Sequence, residues 1–389
     1  MKKEMSDGDM REYKWRKARK RQNRIRLAMV MLCTLVVLVV IMYCGTALYL
    51  KITEEKDGDA VEALGGTVVY SQEELDMRVA QAVSEAEARA LEAESNAESR
   101  IQEAVRTAQE QGQEEVLDNI RISISDGQTM LEALRPLYPE ELLVASGGQY
   151  HFVPINRGLK QSQLVQENVN LLESGEIQYM SGEEVVSHKG IDVSRHQGNI
   201  DWTQVAQDGV EFAFIRVAYR GYGTGKLEED SHFDQNVQGA QAAGIKTGVY
   251  FYSQAITEEE ILEEANLVLQ KVAPYQLECP IVFDVELVSG ANGRMNNITP
   301  EERTALTLLF CQTIEAAGYK PMIYHNTEMG ALKIDVAALE DYDKWFASYS
   351  ETLYYPYEYK VWQYTSHGKV AGISSEVDLN ICIEPVWEE

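Results

Sequence analysis

The chain has 389 residues, 45% of them hydrophobic and 25% charged, which is enough for two or three domains with at least one filled core. Its 35 Lys and Arg are outnumbered by 62 Asp and Glu, giving a formal net charge of −27 at pH 7. Eleven of the bases and four of the acids lie in Met1–Arg26, so the other 363 residues carry a net charge of −34. This acidic part disfavours a nucleic-acid partner, because it would repel phosphates.

The first element along the chain is an uncharged segment of 24 residues, Leu27–Leu50. About 20 apolar residues cross the hydrocarbon core of a bilayer, so this segment predicts an uncleaved transmembrane helix. A cleaved signal peptide is the alternative, although its apolar core is usually about 7–15 residues long. The flank richer in Lys and Arg stays in the cytoplasm. We therefore expect a single-pass protein of the cell membrane, with a cytoplasmic tail at 1–26, the lipid bilayer as a partner and the acidic part outside the cell.

A long helix is predicted at 71–120, after a linker at 51–70. Ser71 and Glu74 have the spacing of a capping box. Small apolar residues then recur with spacings of 3, 4 and 4, an 11-residue period that is typical of a nearly straight or slightly right-handed supercoil. We call this predicted helix the stalk and its row of small apolar residues the alanine seam. Because an alanine-rich seam buries little area, self-association through the stalk would be weak, and a single solvated helix is the alternative. The seam is formed by Val79, Ala82, Ala86, Ala90, Ala93, Ala97, Ile101, Ala104, Ala108 and Gly112.

Residues 121–187 predict a small α+β module or linker. Met130–Leu137 has a helical pattern that ends at prolines, and Leu142–Ala145 with Tyr150–Ile155 flanks a Ser-Gly-Gly-Gln turn, which indicates a hairpin. The segment has no cluster of catalytic residue types. We expect it to act as a spacer or a docking module.

From residue 188 to 389, short apolar strands alternate with amphipathic helices, a pattern typical of parallel strands joined by helical crossovers. The sequence predicts an α/β fold, an irregular TIM-like barrel with eight strands and fewer helices, because the later connections are too short for helices. Such barrels place their chemistry at the carboxyl ends of the strands. The predicted strands are Gly190–Val193, Phe212–Ala218, Thr247–Tyr252, Ile281–Glu286, Pro321–His325, Trp345–Ser348, Lys360–Tyr364 and Val377–Ile381. The predicted helices are Trp202–Asp208, Asp230–Ala243, Glu258–Val272 and Pro300–Ala317.

Acidic residues lie where this architecture would place a site. Asp284 and Glu286 are two positions apart at the end of a strand, so their side chains point to the same face. Two neighbouring buried acids repel each other, and one then tends to stay protonated near neutral pH, which suits general acid catalysis. A merely solvated acidic strand end is the alternative. Asp192 at the end of the first strand and Asp378 in the last would bring four carboxylates to one pocket.

Polar and aromatic residues also lie at or near the strand ends. Sugar rings have apolar faces edged by hydroxyl groups, so aromatic side chains beside acids and amides suit a saccharide. Each aromatic residue taken alone fits a core position equally well. The candidate substrate-binding residues are Tyr219, Tyr250, Tyr252, Tyr324, Trp362 and Gln363.

A metal or other cofactor is not expected. The histidines are scattered, with no pair at the helical spacing of a zinc site. An alternative is that His196 and His325 line the pocket as hydrogen-bond donors. Cys279, Cys311 and Cys382 are odd in number and fit no metal-binding spacing, so buried free thiols are expected.

The barrel region resembles the muramidases of glycoside hydrolase family 25 over about residues 188–389. This resemblance implies a lysozyme that cleaves the β-1,4 bond between N-acetylmuramic acid and N-acetylglucosamine in peptidoglycan, on a barrel of eight strands and fewer helices. The motifs that carry it, in chain order, are GIDVSRHQGNIDW (Gly190–Trp202), FAFIRVAYRGYG, DSHFDQN, AAGIKTGVYFYS, FDVE and VWQYTSHGKVAGISSEVDLN.

By position, the resemblance implies that Glu286 is the proton donor, that Asp284 is its partner acid, and that Asp192 and Asp378 line the same pocket. Two courses after bond breaking remain open: a carboxylate helps a water attack, or the substrate's own 2-acetamido oxygen attacks while Asp284 steadies the positive nitrogen. The close pair favours the second course. The non-enzymatic alternative is a membrane-tethered wall-binding or scaffold module. A third alternative is a barrel enzyme that acts on another N-acetylated polysaccharide. A membrane tether favours remodelling of the producer's own wall.

Overall fold

The computed structural model describes residues 71–288 and 293–387. The predicted basic tail, the transmembrane helix Leu27–Leu50 and the linker to residue 70 lie outside the described residues. Within the described ranges, no helix is both long and apolar enough to cross a bilayer. The contacts divide the chain into two units, with the boundary between Thr107 and Ala108.

Helix α1, Gln72–Ser125, is 54 residues long and extends the predicted stalk helix by five residues at its carboxyl end. The predicted capping box starts it, because the Glu74 N–H donates to Ser71 Oγ and the Ser71 N–H donates to the Glu74 carboxylate, each at 3.2 Å. The helix has no buried residue. Its apolar side chains face solvent, Ile101 with 64% of its surface exposed.

The segment after α1 folds into a helical turn and two small sheets. The predicted hairpin is present, pairing residues 141–146 with 149–154 through a Gly-Gly turn. The three-stranded sheet that follows was not predicted. The elements are α2 Met130–Leu134, β1 Glu141–Ser146, β2 Gln149–Pro154, β3 Val169–Leu171, β4 Ile177–Ser181 and β5 Glu184–Val185, with short 3₁₀ turns at Arg135–Leu137 and Gln166–Asn168.

This module packs directly on the barrel. Leu142 and Val144 of β1 share one buried apolar cluster with Phe346 and Tyr355 of the barrel region. The main chain also links the two parts, since the N–H of residue 162 donates to the carbonyl of residue 356 at 2.8 Å. The module is therefore a fixed part of the barrel surface and not a flexible connector.

Eight strands form the closed barrel, and all eight were predicted. Seven are parallel in sequence around the barrel, and β14 closes it by pairing antiparallel with both β13 and β6. The short strand β8 only extends one edge of β7. The strands are β6 His188–Val193, β7 Phe212–Arg220, β8 Leu227–Glu229, β9 Lys246–Ser253, β10 Ile281–Val285, β11 Pro321–Asn326, β12 Asp343–Ala347, β13 Val361–Gly368 and β14 Val377–Cys382.

Four α-helices lie between the first five barrel strands, as the pattern predicted. At the start of the last helix, the Glu302 N–H donates to the Thr299 hydroxyl at 3.2 Å, with Pro300 at the first helical position. In the described chain after residue 316, the connections carry one short π-helical turn, Met329–Lys333, and no α-helix. The helices are α3 Trp202–Gln207, α4 Phe233–Ala242, α5 Glu258–Val272 and α6 Pro300–Ala316.

The barrel interior is apolar at the amino ends of the strands. Phe212, Phe214, Val282 and Met322 share one fully buried cluster there. Gly190 is required beside it, because a Cβ at this position would lie 2.2 Å from the Phe212 ring. With this half filled, the open half of the barrel is at the carboxyl ends of the strands. The three described cysteines, Cys279, Cys311 and Cys382, are free and buried, as expected.

Candidate active site

The four predicted acids line one cavity of about 400 Å³ at the carboxyl ends of the strands. Sheet register brings them together: Asp192 on β6 is directly opposite Asp378 on β14, and Asp284 on β10 lies between two tyrosine positions of the neighbouring strands. Glu286 follows β10 by one residue. Residues from distant parts of the chain thus share one open pocket. Its other lining residues are Arg195, His196, Arg216, Tyr219, Tyr250, Tyr252, Tyr324, Trp345, Tyr349 and Gln363.

Asp192 is held by a chain of hydrogen bonds across three strands. Its Oδ2 accepts from Gln363 Nε2 at 2.8 Å and from Asn380 Nδ2 at 2.9 Å. Asn380 is oriented in turn by Trp345, whose Nε1 donates to its Oδ1 at 2.7 Å. Burial and the nearby charge of Asp378 raise the pKa of Asp192, while the two amide donors lower it. The carboxyl is therefore fixed in one orientation.

Gln363 has its amide orientation set from the other side. Its Oε1 accepts from the Tyr324 hydroxyl at 2.8 Å and from the Tyr349 hydroxyl at 3.1 Å. The Nε2 group must then point at Asp192. Tyr349 has 60% of its surface exposed and stands at the mouth of the cavity, so its ring offers an apolar face to a ligand.

Asp284 differs from Asp192 in having no amide donor on its carboxyl group within the described chain. It is buried, and its Oδ1 has no hydrogen-bond partner among the described residues. Burial is the main cause that raises its pKa well above the ordinary range, followed by the charges of Glu286 and Asp192, while the Arg216 guanidinium opposes them. A buried polar oxygen without a partner is rare in folded proteins and is typical of groups kept for a function.

Glu286 has the pKa expected of a general acid near neutral pH. Burial first, and the charge of Asp378 second, raise the pKa of Glu286 to about 7. Burial likewise raises the pKa of Asp378 to about 6. The main chain at Glu286 is fixed, because its carbonyl accepts from Gln254 Nε2 at 3.1 Å. A protonated carboxyl held at the edge of a cleft can give its proton to a leaving oxygen.

Arg216 brings a positive charge to this acidic cavity and was not identified from the sequence. Its Nε donates to Asp230 Oδ2 at 2.8 Å, and the same oxygen accepts from the Arg195 N–H at 3.0 Å. The guanidinium carbon lies 5.2 Å from the centre of the Tyr219 ring. Trp345 and Tyr349 were also missed as site residues. Tyr349 could have been found from its position just after the predicted strand Trp345–Ser348, whereas Trp345 begins that strand and gave no such signal.

Five of the six predicted substrate-binding residues line the cavity, and Trp362 does not. Side chains alternate along β13, so Gln363 points into the barrel while Trp362 points outward. Trp362 Nε1 donates to the Ser348 carbonyl at 3.0 Å, and its ring packs in the cluster between barrel and helices. The prediction that Trp362 contacts the ligand is therefore corrected.

Of the two histidines considered for the pocket, one lines the cavity and the other does not. His196 lines the cavity. His325 is fully buried on the outer side of β11, where its ring packs against Phe346 and Tyr355, because its neighbour Tyr324 takes the inward position. The expectation of a pocket position for His325 is corrected.

Comparison with known proteins shows that part of the chain is similar to one family. Residues 191–373 match the sequence model described as Glycosyl hydrolases family 25. An uncharacterized protein of Escherichia coli K12, YegX, is 29% identical over 201 residues, which cover 49% of this chain and 68% of that protein. The autolytic lysozyme of Clostridium acetobutylicum is 26% identical over 193 residues, which cover 49% of this chain and 55% of the lysozyme.

Solved structures match over a similar stretch. A family 25 glycosyl hydrolase from Bacillus anthracis is 27% identical, with a TM-score of 0.44, over 53% of this chain and 92% of that one. The CTP1L endolysin is 24% identical, with a TM-score of 0.42, and this chain covers 65% of its length. The match to the family's sequence model thus covers residues 191–373, slightly less than half of the chain.

Proposed function

We propose that the barrel is a lysozyme-type peptidoglycan hydrolase, an N-acetylmuramidase that cleaves the β-1,4 bond between N-acetylmuramic acid and N-acetylglucosamine. The observation that carries this proposal is Glu286, a carboxyl with its pKa raised to about 7, in a cleft lined by three further acids and by tyrosines. The family match and the lysozymes among the relatives support a wall glycan as the substrate.

In the proposed reaction, Glu286 donates its proton to the oxygen that leaves as the glycosidic bond breaks. The departing sugar takes that proton, and positive charge develops on the ring that remains. The substrate's 2-acetamido oxygen then attacks the carbon that the leaving oxygen has left. Asp284 stabilises the positive nitrogen of the ring that forms. Water opens this intermediate, and Glu286 recovers a proton from the attacking water.

The other residues of the cleft bind and orient the sugar. Asp192 is fixed by Gln363 and Asn380, so it offers its free oxygen to a hydroxyl or amide N–H in one direction only. Asp378 faces it across the strand pair. Tyr349 at the mouth presents an exposed ring to a sugar face. Rigid positioning of this kind lowers the cost of reaching the transition state.

We also propose the cellular setting that the sequence predicts. Leu27–Leu50 anchors the protein in the cell membrane with a cytoplasmic N-terminus, and the helical stalk carries the hydrolase towards the wall. The uncharged length of the segment and the basic residues before it support this arrangement. A tethered enzyme acts within reach of its own membrane, which suits remodelling of the producer's own wall.

Incubation of the full chain with purified peptidoglycan tests the proposal. We expect new reducing N-acetylmuramic acid ends from the wild type and a loss of roughly 10²–10⁴-fold in rate for Glu286→Gln. Glu259→Gln, at an exposed position on α5, is the matched control and should leave the rate unchanged. Retention on the wall without new reducing ends would reject hydrolysis and favour the tethered wall-binding or scaffold module.

Substrate assistance has its own test. Chemically de-N-acetylated wall lacks the attacking acetamido oxygen, so it should be cleaved far more slowly than native wall. Equal rates on both substrates would instead support a water helped by a carboxylate.

A further inference from the structure

A second cavity of about 720 Å³ lies beside the proposed catalytic cleft. One wall is the segment of the module from Asp126 to Pro136, and the other is the connection between β12 and β13. Tyr349 lines both cavities, so the two share a wall at the mouth of the cleft. A polymer bound in the cleft would pass next to this groove.

The groove has fixed walls. The β12–β13 connection is held by Gln166 of the module, whose Nε2 donates to the Glu351 carbonyl at 2.9 Å and whose Oε1 accepts from the Leu353 N–H at 2.8 Å. On the opposite wall, the Thr129 N–H and hydroxyl both donate to Glu132 at 2.8 Å. The carboxylate of Glu132 is thus engaged in capping α2, and the groove exists before any ligand binds.

Arg135 brings a guanidinium to the wall of this groove. Its central carbon lies 3.7 Å from the centre of the Tyr354 ring, so the cation is held against the face of that ring. Its Nε is buried and has no hydrogen-bond partner in the part of the chain that the structure describes. A planar guanidinium presents N–H donors in a fork that matches the two oxygens of a carboxylate.

The other charged residues of the groove are acidic, and Glu132 among them is half-buried. Asp126 and Glu351 lie at its rim. A ligand with carboxylates alone would be repelled by them, whereas a ligand with both a carboxylate and an amine would satisfy Arg135 and the acids together. A short peptide has this combination, and the peptides of peptidoglycan are attached to the sugar that the cleft is proposed to bind.

We propose that this groove binds the peptide attached to the glycan, with Arg135 holding a peptide carboxylate. This inference rests on the proposed function and makes the hydrolase selective for wall strands that still carry their peptides. The module at 126–187 is then part of substrate recognition, and not only a spacer.

Binding measured in the inactive Glu286→Gln full chain separates this inference from catalysis. The probes are the wall disaccharide carrying its tetrapeptide and the same disaccharide without peptide, compared by calorimetry. We expect at least tenfold tighter binding of the peptide-bearing probe. A second substitution, Arg135→Gln, should remove this preference without changing the affinity for the bare disaccharide, and Arg135→Lys should retain part of it.

Arg157→Gln is the control, because Arg157 pairs with Glu140 at 3.3 Å on the module surface and does not line the groove. Equal affinities for the two probes, or an equal loss for both probes in Arg135→Gln with an unchanged thermal midpoint, would overturn the inference. Peptide-dependent binding without hydrolysis by the wild type would keep the groove and reject the hydrolase. Hydrolysis without peptide preference would do the opposite.

Discussion

At the scale of single residues, the four carboxyl groups of the site differ in their hydrogen-bond partners and in their pKa values. Asp192 has two amide donors, whereas Asp284 has an oxygen with no partner in the described chain. Glu286 is the group whose pKa is raised to about 7. Burial raises the pKa of all four acids, so their roles are distinguished by their partners: Asp192 is held by donors, and Glu286 is a carboxyl that can be protonated near neutral pH.

The pH dependence of hydrolysis follows from Glu286. Its carboxyl must be protonated to act as an acid, so kcat/KM should fall about tenfold per pH unit as the pH rises through and beyond about 7. Initial rates on a soluble wall fragment between pH 4 and pH 9 measure this limb. A rate that stays constant up to pH 9 would contradict the assignment of Glu286 as the acid.

Glu286 should lower the free energy of unfolding at alkaline pH. The pKa of Glu286 is raised from 4.5 to about 7 on folding, so its contribution is complete below pH 4.5 and is lost as pH rises through 7. Glu286→Gln carries no such charge and should be more stable than wild type at pH 8, by up to about 3 kcal/mol. Urea unfolding at pH 4 and pH 8 measures the difference, which should shrink towards pH 4. Equal stabilities at pH 8 would argue that Glu286 is well solvated.

Sequence reasoning found the acids because a strand ending in D-x-E needs only a period of two. Sequence reasoning failed where it had to decide which alternate side chains of a strand point into the barrel. Trp362 was assigned to the pocket and His325 was considered for it as an alternative, and each lies next to the residue of its strand that faces inward. Arg216 was missed because nothing in a local pattern shows that Asp230, 14 residues later, receives its guanidinium.

At the scale of elements, apolar period and capping residues predicted the barrel well. All eight strands and four helices of the barrel were predicted, with most ends within two or three residues. The three-stranded sheet β3–β5 was missed because its strands have only three, five and two residues, with mixed polarity. Such short strands exist because tertiary packing supports them, as for Ile177 and Tyr179, which are buried in the main core.

One buried ion pair joins β7 to α5 and should matter to the stability of the barrel. Arg220 is 3% exposed, and its Nε donates to Glu264 Oε1 at 2.6 Å, with Ser253 Oγ donating to the other oxygen at 2.7 Å. Arg220→Met leaves the fully buried Glu264 without its cation and should lower the free energy of unfolding by about 3–5 kcal/mol. Urea unfolding at pH 8 measures it.

Two further variants decide the cause of that loss. Arg220→Met combined with Glu264→Leu removes both charges and should recover most of the stability. Arg157→Met breaks an exposed pair and should cost about 0–1 kcal/mol. If the double variant is as unstable as Arg220→Met alone, the loss comes from packing and not from the unpaired carboxylate.

At the scale of the whole molecule, the chain combines segments that are stabilised in different ways. The barrel and the module share buried apolar clusters. Helix α1 has no buried residue, so its stability depends on its own hydrogen bonds, its capping box and its high alanine content. Most helices in proteins gain their stability from tertiary packing, and α1 lacks that contribution within the described chain.

Hydrogen exchange should separate these two kinds of stability. The amides of α1 open by local fraying and helix–coil transitions, so they should exchange within seconds to minutes at neutral pH, while barrel strands such as β10 stay protected for hours. Mass spectrometry of peptic fragments, taken at low and high protein concentration, measures both. Protection of α1 that rises with concentration would show that the alanine seam pairs with a second copy, the self-association that the 11-residue period allows. Protection as strong as that of β10 at every concentration would contradict a solvated single helix, because intrinsic propensity alone cannot hold 54 residues closed for hours.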